Sequence, residues 1–278
     1  MQKITEELLK AFEQQLRLEE KSNVTVKKYV RDVRHFAAFV GEKPVDKDLL
    51  LQYKAQIEQQ YAVAGANSML AALNAFFRFV GCGELCVKHL RSQRKVYCSA
   101  DKELTRAEYL RLIKTACTQG KVQIALILQT LCATGIRISE LQYITVEAAQ
   151  KGETTVNCKG KQRTIFIIPA LREKLLCFAV ENGVESGCVF TTRNGTPVDR
   201  SNVWRDMKNL CEAARVLPEK VYPHNLRHLF ARTFYGVDKD IAKLADMLGH
   251  SNINTTRIYI LTTGEEHRKR MESMHLLL

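Results

Sequence analysis

Residues 154–168 read Thr-Thr-Val-Asn-Cys-Lys-Gly-Lys-Gln-Arg-Thr-Ile-Phe-Ile-Ile. Two runs rich in β-branched residues, Thr154 to Cys158 and Arg163 to Ile168, flank Lys159-Gly160-Lys161-Gln162, so the pattern predicts an antiparallel hairpin with glycine in its turn. Strand chemistry is confined to this middle region. Val189 to Thr192, followed by Asn194-Gly195, predicts one more short strand and turn, and elsewhere apolar residues recur at helical spacing. The fold class is therefore mainly α: an amino-terminal helical domain, then a mostly helical domain with a small antiparallel β-sheet.

Outward from the hairpin, the amino-terminal side is helical throughout. Ile4, Leu8, Phe12 and Leu16 mark one helix, and Val26, Val30, Val33, Phe36 and Val40 a second. Gly41 to Pro44 breaks the pattern, Val45 to Tyr61 resumes it, and Asn67 to Val80 adds an apolar helix stopped by Gly81-Cys82-Gly83. Four or five helices with short breaks predict a small bundle over residues 1–90. Residues 91–102 are polar and non-periodic, as a linker is. Thr105-Arg106-Ala107-Glu108 is a capping-box sequence that opens the domain assigned to residues 103–278. Its carboxy-terminal segment ends in Leu276-Leu277-Leu278 on a charged helix.

Composition narrows the function classes. The chain has 278 residues, of which 46% are apolar and 26% charged, which is ordinary globular composition and excludes a disordered or collagenous chain. Its apolar runs are far shorter than a membrane span needs, and no apolar stretch near Met1 resembles a signal peptide, so a soluble, cytoplasmic protein is expected. The formal net charge is +12. Sixteen basic residues face 11 acidic ones up to Tyr97, and 26 face 19 beyond it, so both halves are basic. That distribution suits a polyanion held by two domains. Nine scattered cysteines, several in apolar contexts such as Leu176-Cys177-Phe178, read as reduced core residues. Cys82 and Cys86 have no second pair to complete a zinc site.

Four segments of the second domain carry chemistry. Arg137 follows a glycine break in Ala133-Thr134-Gly135-Ile136-Arg137-Ile138-Ser139-Glu140-Leu141, with Glu140 one turn later. Lys159 stands at the hairpin. Tyr222-Pro223-His224-Asn225-Leu226-Arg227-His228 puts His224 and Arg227 on one face of a helix opened by proline. Two histidines four apart invite a zinc reading, which fails because Asn225 stands where a general-base glutamate is needed. Leu248-Gly249-His250 ends a helix, and the next one presents Tyr259. Each segment alone reads as an ordinary surface pair or helix start. Together, two guanidiniums, two imidazoles, an ammonium and a phenol are what in-line attack on a phosphodiester requires. Guanidinium forks hold non-bridging oxygens and offset the charge of the transition state. The phenol needs a base, and the leaving oxygen an acid.

In order and wording, these segments resemble the tyrosine recombinases of the phage-integrase family, over the whole second domain. The helical first domain resembles the family's SAM-like core-binding domain. The resemblance implies that Tyr259 is the nucleophile forming a 3′-phosphotyrosyl bond. It further implies that Arg137 and Arg227 clamp the scissile phosphate, that His224 is the general base and that His250 hydrogen-bonds the phosphate. Lys159 matches the hairpin acid and Glu140 an acidic residue supporting the site. The hairpin Lys-Gly-Lys-Gln-Arg is one residue shorter than the usual Lys-Gly-x-Lys-x-Arg, which leaves the acid open between Lys159 and Lys161, with Lys159 preferred. No metal and no cofactor are implied, since the phosphotyrosine conserves the bond energy. The implied partner is double-stranded DNA, recombined by a tetramer through a Holliday junction, with the carboxy-terminal tail docked on a neighbouring subunit and the protein at the nucleoid. The absence of an extra amino-terminal arm-binding domain resembles compact Xer-like resolvases and short mobile-element recombinases. Integration, excision, inversion and dimer resolution are equally compatible with these residues. Two alternatives are a type IB topoisomerase-like enzyme and a non-catalytic DNA-binding regulator.

Overall fold

The computed structural model describes residues 4–91, 102–158, 161–260 and 271–274, with Cys158, Lys161 and Ile260 described by their backbone alone. The expected linker therefore lies, but for its two ends, outside the described residues, as does most of the carboxy-terminal tail. The chain divides into two compact units, Met1–Arg94 and Lys95–Leu278.

The first unit is built from α1 (Glu6–Leu18), α2 (Asn23–Val40), α3 (Lys47–Gln60) and α4 (Val63–Phe79). The side chains of Thr5, Ser22 and Asp46 accept hydrogen bonds from first-turn amides and so set the starts of the first three helices. Helix α4 begins four residues earlier than the apolar run suggests and has no side-chain cap. Leu16, Phe36, Tyr53, Leu70 and Phe76 are fully buried in a shared core. Two asparagines of α4 hold the exit segment. Asn74 pairs with both the amide and the carbonyl of Val87, each at 2.9 Å. Asn67 does the same to Leu90 at 3.0 and 2.7 Å.

The second unit starts at α5 (Arg106–Thr118), whose capping box forms as the sequence indicates: Glu108 N–H donates to the Thr105 hydroxyl and Thr105 N–H to the Glu108 carboxylate. Helix α6 (Val122–Thr134) is apolar on nearly all sides and packs against α5, α8 (Pro169–Glu181), α9 (Arg200–Lys208) and α11 (Pro223–Asp238), as a central helix must. Between α6 and α8 lie a 3₁₀ helix (Ile138–Tyr143), α7 (Val146–Lys151) and the hairpin β1 (Glu153–Cys158) and β2 (Lys161–Phe166). The short α10 (Cys211–Ala214) precedes α11, and α12 (Ile241–Leu248) and α13 (Ile253–Arg257) follow it.

Three local expectations are corrected. Lys161 and Gln162 belong to β2, paired with Cys158 and Asn157, not to the turn, and the strand stops at Phe166 because Pro169 opens α8. The strand expected at 189–192 is reduced to two isolated bridges, Thr145 with Cys188 and Thr191 with Pro197, since no second strand runs alongside it among the described residues. Cys177 is exposed on α8, its thiol donating to Glu181 at 3.3 Å, because its apolar neighbours Leu176 and Phe178 take the inward positions. The cysteines at 82, 86, 117, 132, 177, 188 and 211 are free thiols. Among the described residues no cluster of metal-ligating side chains occurs, and no helix is long and apolar enough to cross a membrane.

Candidate active site

The site begins where α6 stops. Gly135 takes a left-handed conformation (φ +63°), and a Cβ there would lie 2.3 Å from the Phe230 ring, so only glycine admits this reversal. The reversal delivers Arg137 to the start of the 3₁₀ helix, where it meets Glu140 twice. The Arg137 amide donates to one carboxylate oxygen at 2.8 Å and its guanidinium to the other at 2.9 Å. This is not a surface pair, because Glu140 is 1% exposed. Burial by itself raises a carboxyl pKa. Here the Arg137 amide, the Arg163 guanidinium and the Arg137 guanidinium outweigh it and hold Glu140 below the usual range.

Helix α11 supplies the second cation. Pro223 occupies its first turn, and Arg227, one turn on, is 1% exposed. Its guanidinium donates to the carbonyls of Gly135 (2.5 Å) and Leu248 (2.6 Å) and to His250 Nε2 (3.0 Å). Burial, then the neighbouring Arg137, pushes its pKa down to about 10, so it stays charged at neutral pH.

His250 sits just past Gly249, the left-handed cap of α12. A guanidinium only donates, so His250 Nε2 must accept from Arg227, and Nδ1 then carries the proton and donates to the Thr256 hydroxyl at 2.8 Å. Burial and the cations Arg227, Arg137 and Arg163 push the imidazole down to about 4, which agrees with a neutral ring.

Tyr259 lies in a 3₁₀ turn (Ile258–Ile260) beyond α13 and not on the helix itself, which ends at Arg257. Its side chain packs with Ala231, Leu244 and Leu248 at 4% exposure. The ring stacks on His250 (centroids 5.4 Å apart, planes at 14°) and meets His228 at 4.4 Å. Its hydroxyl lies 3.3 Å from His224 Nε2. His224 is open to solvent on α11. The inner edge of the ring is nonetheless desolvated against Tyr259 and His228, and this, followed by the charges of His228, Arg227 and Arg137, pushes it down to about 4, so at neutral pH the ring is neutral. Behind it, His228 Nδ1 lies 3.6 Å from one Glu103 carboxylate oxygen, and Arg232 forms an ion pair with the other at 2.7 Å.

Arg137, Glu140, His224, Arg227, His250 and Tyr259 thus converge from four separate segments. Lys159 lies outside the described residues, and Lys161 is described only as backbone in β2. The sequence reading missed Arg163, Thr256 and His228 as parts of the site. Arg163 had no clear signal in the sequence: in β2 residues 163 and 165 point inward and 162, 164 and 166 outward, but Phe166 at an outward position is as apolar as Ile165, so the run does not show which face is buried. A cleft of about 490 Å³ opens beside this arginine, lined by Arg163, Phe166, Asp246, Met247 and His250 among others.

Residues 102–266 match the phage integrase family and residues 9–81 the phage integrase N-terminal SAM-like domain. The chain belongs to the phage integrase family. Among relatives of this integrase-family protein, the tyrosine recombinase XerA of Pyrococcus furiosus is 31% identical over 98% of this chain and 95% of its own. The tyrosine recombinase XerD of Halalkalibacterium halodurans is 27% identical over 91% and 92%. The same fold occurs in a lambda integrase dimer bound to a COC′ core site (TM-score 0.74, 18% identity, covering 94% of this chain and 96% of that one).

Proposed function

We propose that this phage-integrase-family protein is a site-specific DNA recombinase in which Tyr259 attacks the scissile phosphate. The observation that carries the assignment is the Tyr259 hydroxyl 3.3 Å from His224 Nε2, among the Arg137 and Arg227 guanidiniums and the His250 imidazole. Tyr259 Oη bonds to phosphorus as its proton passes to His224. The bond from phosphorus to the 5′ oxygen breaks, and Lys159 protonates that oxygen, leaving a 3′-phosphotyrosyl and a 5′-hydroxyl. Arg137 and Arg227 neutralise the charge on the non-bridging oxygens, and such preorganised electrostatic stabilisation is usually the largest single contribution to enzymatic rate acceleration. Attack by an incoming 5′-hydroxyl reverses the step on a new partner strand, so the bond energy is retained. We assign His250 to the phosphate as well: its Nε2 now accepts from Arg227, and when that guanidinium turns to a phosphate, Nε2 takes up a proton, favoured by the phosphate's negative charge, and donates to a non-bridging oxygen.

On this reading the protein works on duplex DNA as a tetramer, exchanging strands through a Holliday junction in the cytoplasm at the nucleoid, with its carboxy-terminal tail on a neighbouring subunit. Covalent trapping tests it. The protein is mixed with DNA flanking its own gene and with host replication-terminus DNA, denatured in detergent, and resolved for protein–DNA adducts. An adduct with wild type, absent with Tyr259→Phe, is the expected result. An adduct that survives Tyr259→Phe names a different nucleophile, and binding without any adduct on these fragments counts against cleavage.

A further inference from the structure

Among the described residues, the chemistry above leaves the buried cation Arg163 without a task. Arg163 stands at an inward position of β2, opposite Val156, with its side chain 7% exposed. One end of its guanidinium bonds the Glu140 carboxylate, on the oxygen that also takes the Arg137 amide. The other end bonds the carbonyl of Met247, three residues before His250 in the last turn of α12. Gly249 closes around this side chain: a Cβ there would lie 2.5 Å from Arg163 Cδ and 3.2 Å from Nε. Residue 249 is therefore a glycine for two reasons, its left-handed φ of +64° and the passage of Arg163 beneath it.

The linkage has a direction. Arg137 is partly open, with 34% of its side chain exposed, and Glu140 grips it; Glu140 in turn is gripped by Arg163. Arg227 and His250 are anchored at the other end of the same strut, through Leu248 and the α12 cap. We propose that Arg163 is a positioning residue for strand cleavage, tying the Arg137–Glu140 pair to the turn that carries His250. The two sides of the phosphate clamp are thereby kept at one spacing. The inference rests on the recombinase reading above.

The test is single-turnover adduct formation by the full chain on a duplex spanning the attachment point that trapping maps. Rate constant, final amplitude and DNA affinity are read separately for wild type, Arg163→Met, Arg163→Lys and Gly249→Ala. A misplacement of about 1 Å at the reacting groups costs about 100-fold in rate, so Arg163→Met lowers the rate constant by about 10- to 100-fold while amplitude and affinity hold. Arg163→Lys, whose single ammonium cannot span both partners, falls between, and Gly249→Ala lowers the rate from the other side of the strut. An unfolding defect instead reduces amplitude and melting temperature and leaves the rate constant of the folded fraction intact. That pattern, or an unchanged rate in all three variants, overturns the proposal. Should Arg163→Met fail to fold, Arg163→Lys and Gly249→Ala decide alone. Absence of a wild-type adduct, or one retained in Tyr259→Phe, overturns the recombinase reading itself and is a distinct outcome.

Discussion

Arg227 and Glu140 are opposite charges almost wholly withdrawn from water, and each is held by partners that would be orphaned by its removal. Glu140 takes two guanidiniums and a backbone amide. Glu140→Gln keeps the shape but leaves Arg163 facing a neutral group, and breaking a buried pair costs about 3–5 kcal/mol; urea melting of the second unit checks this. Arg137→Ala and Arg227→Ala abolish the adduct while leaving much of the DNA affinity, measured by filter binding, because phosphate contacts elsewhere carry a large share of binding. Affinity falling in step with cleavage would sink the clamp assignment. His224 and His250 are held below their ordinary value of 6.5, at about 4. The unfolded chain therefore takes up their protons first as the pH falls. Their contribution to stability is complete above about 6.5 and is lost between there and about 4. Thermal melts across that window fall with acid, and a His250→Gln variant falls less steeply.

At the scale of elements, the site hangs on how helices end. Left-handed glycines close α6 and α12, and Arg137 follows the first by two residues and His250 the second by one. Gly135→Ala meets both the Phe230 ring and an unfavourable φ, and such overpacking costs about 1–3 kcal/mol. A melting temperature within a degree of wild type would contradict the close approach. Helix starts matter as much: the capping box at Thr105 was legible as four letters, since its partners are three residues apart. Tyr259 was placed on a helix by its spacing but occupies a 3₁₀ turn, because α13 stops at Arg257 and the tyrosine ring leaves the helical face to stack on His250. The expected strand at 189–192 likewise depended on a partner that local sequence does not name.

For the whole molecule, the excess of basic residues in both halves of the sequence is the feature with consequences. Binding that neutralises several phosphates weakens steeply with salt, so duplex affinity drops by about 1,000-fold or more between 50 and 200 mM salt. A flat salt dependence in a gel-shift series would exclude such a binding mode. The helical class, the capped start of the second unit and the residue types gathered at the candidate site were legible in the sequence, because they depend on spacings of three or four positions and on side-chain chemistry. The burial of Glu140, its link through Arg163 to the α12 turn, and the nitrogen of His250 that carries the proton follow from three-dimensional contacts. Those facts rest on contacts 23 and 84 residues apart in the chain, which no local pattern encodes; burial and partner together set the charge each group keeps.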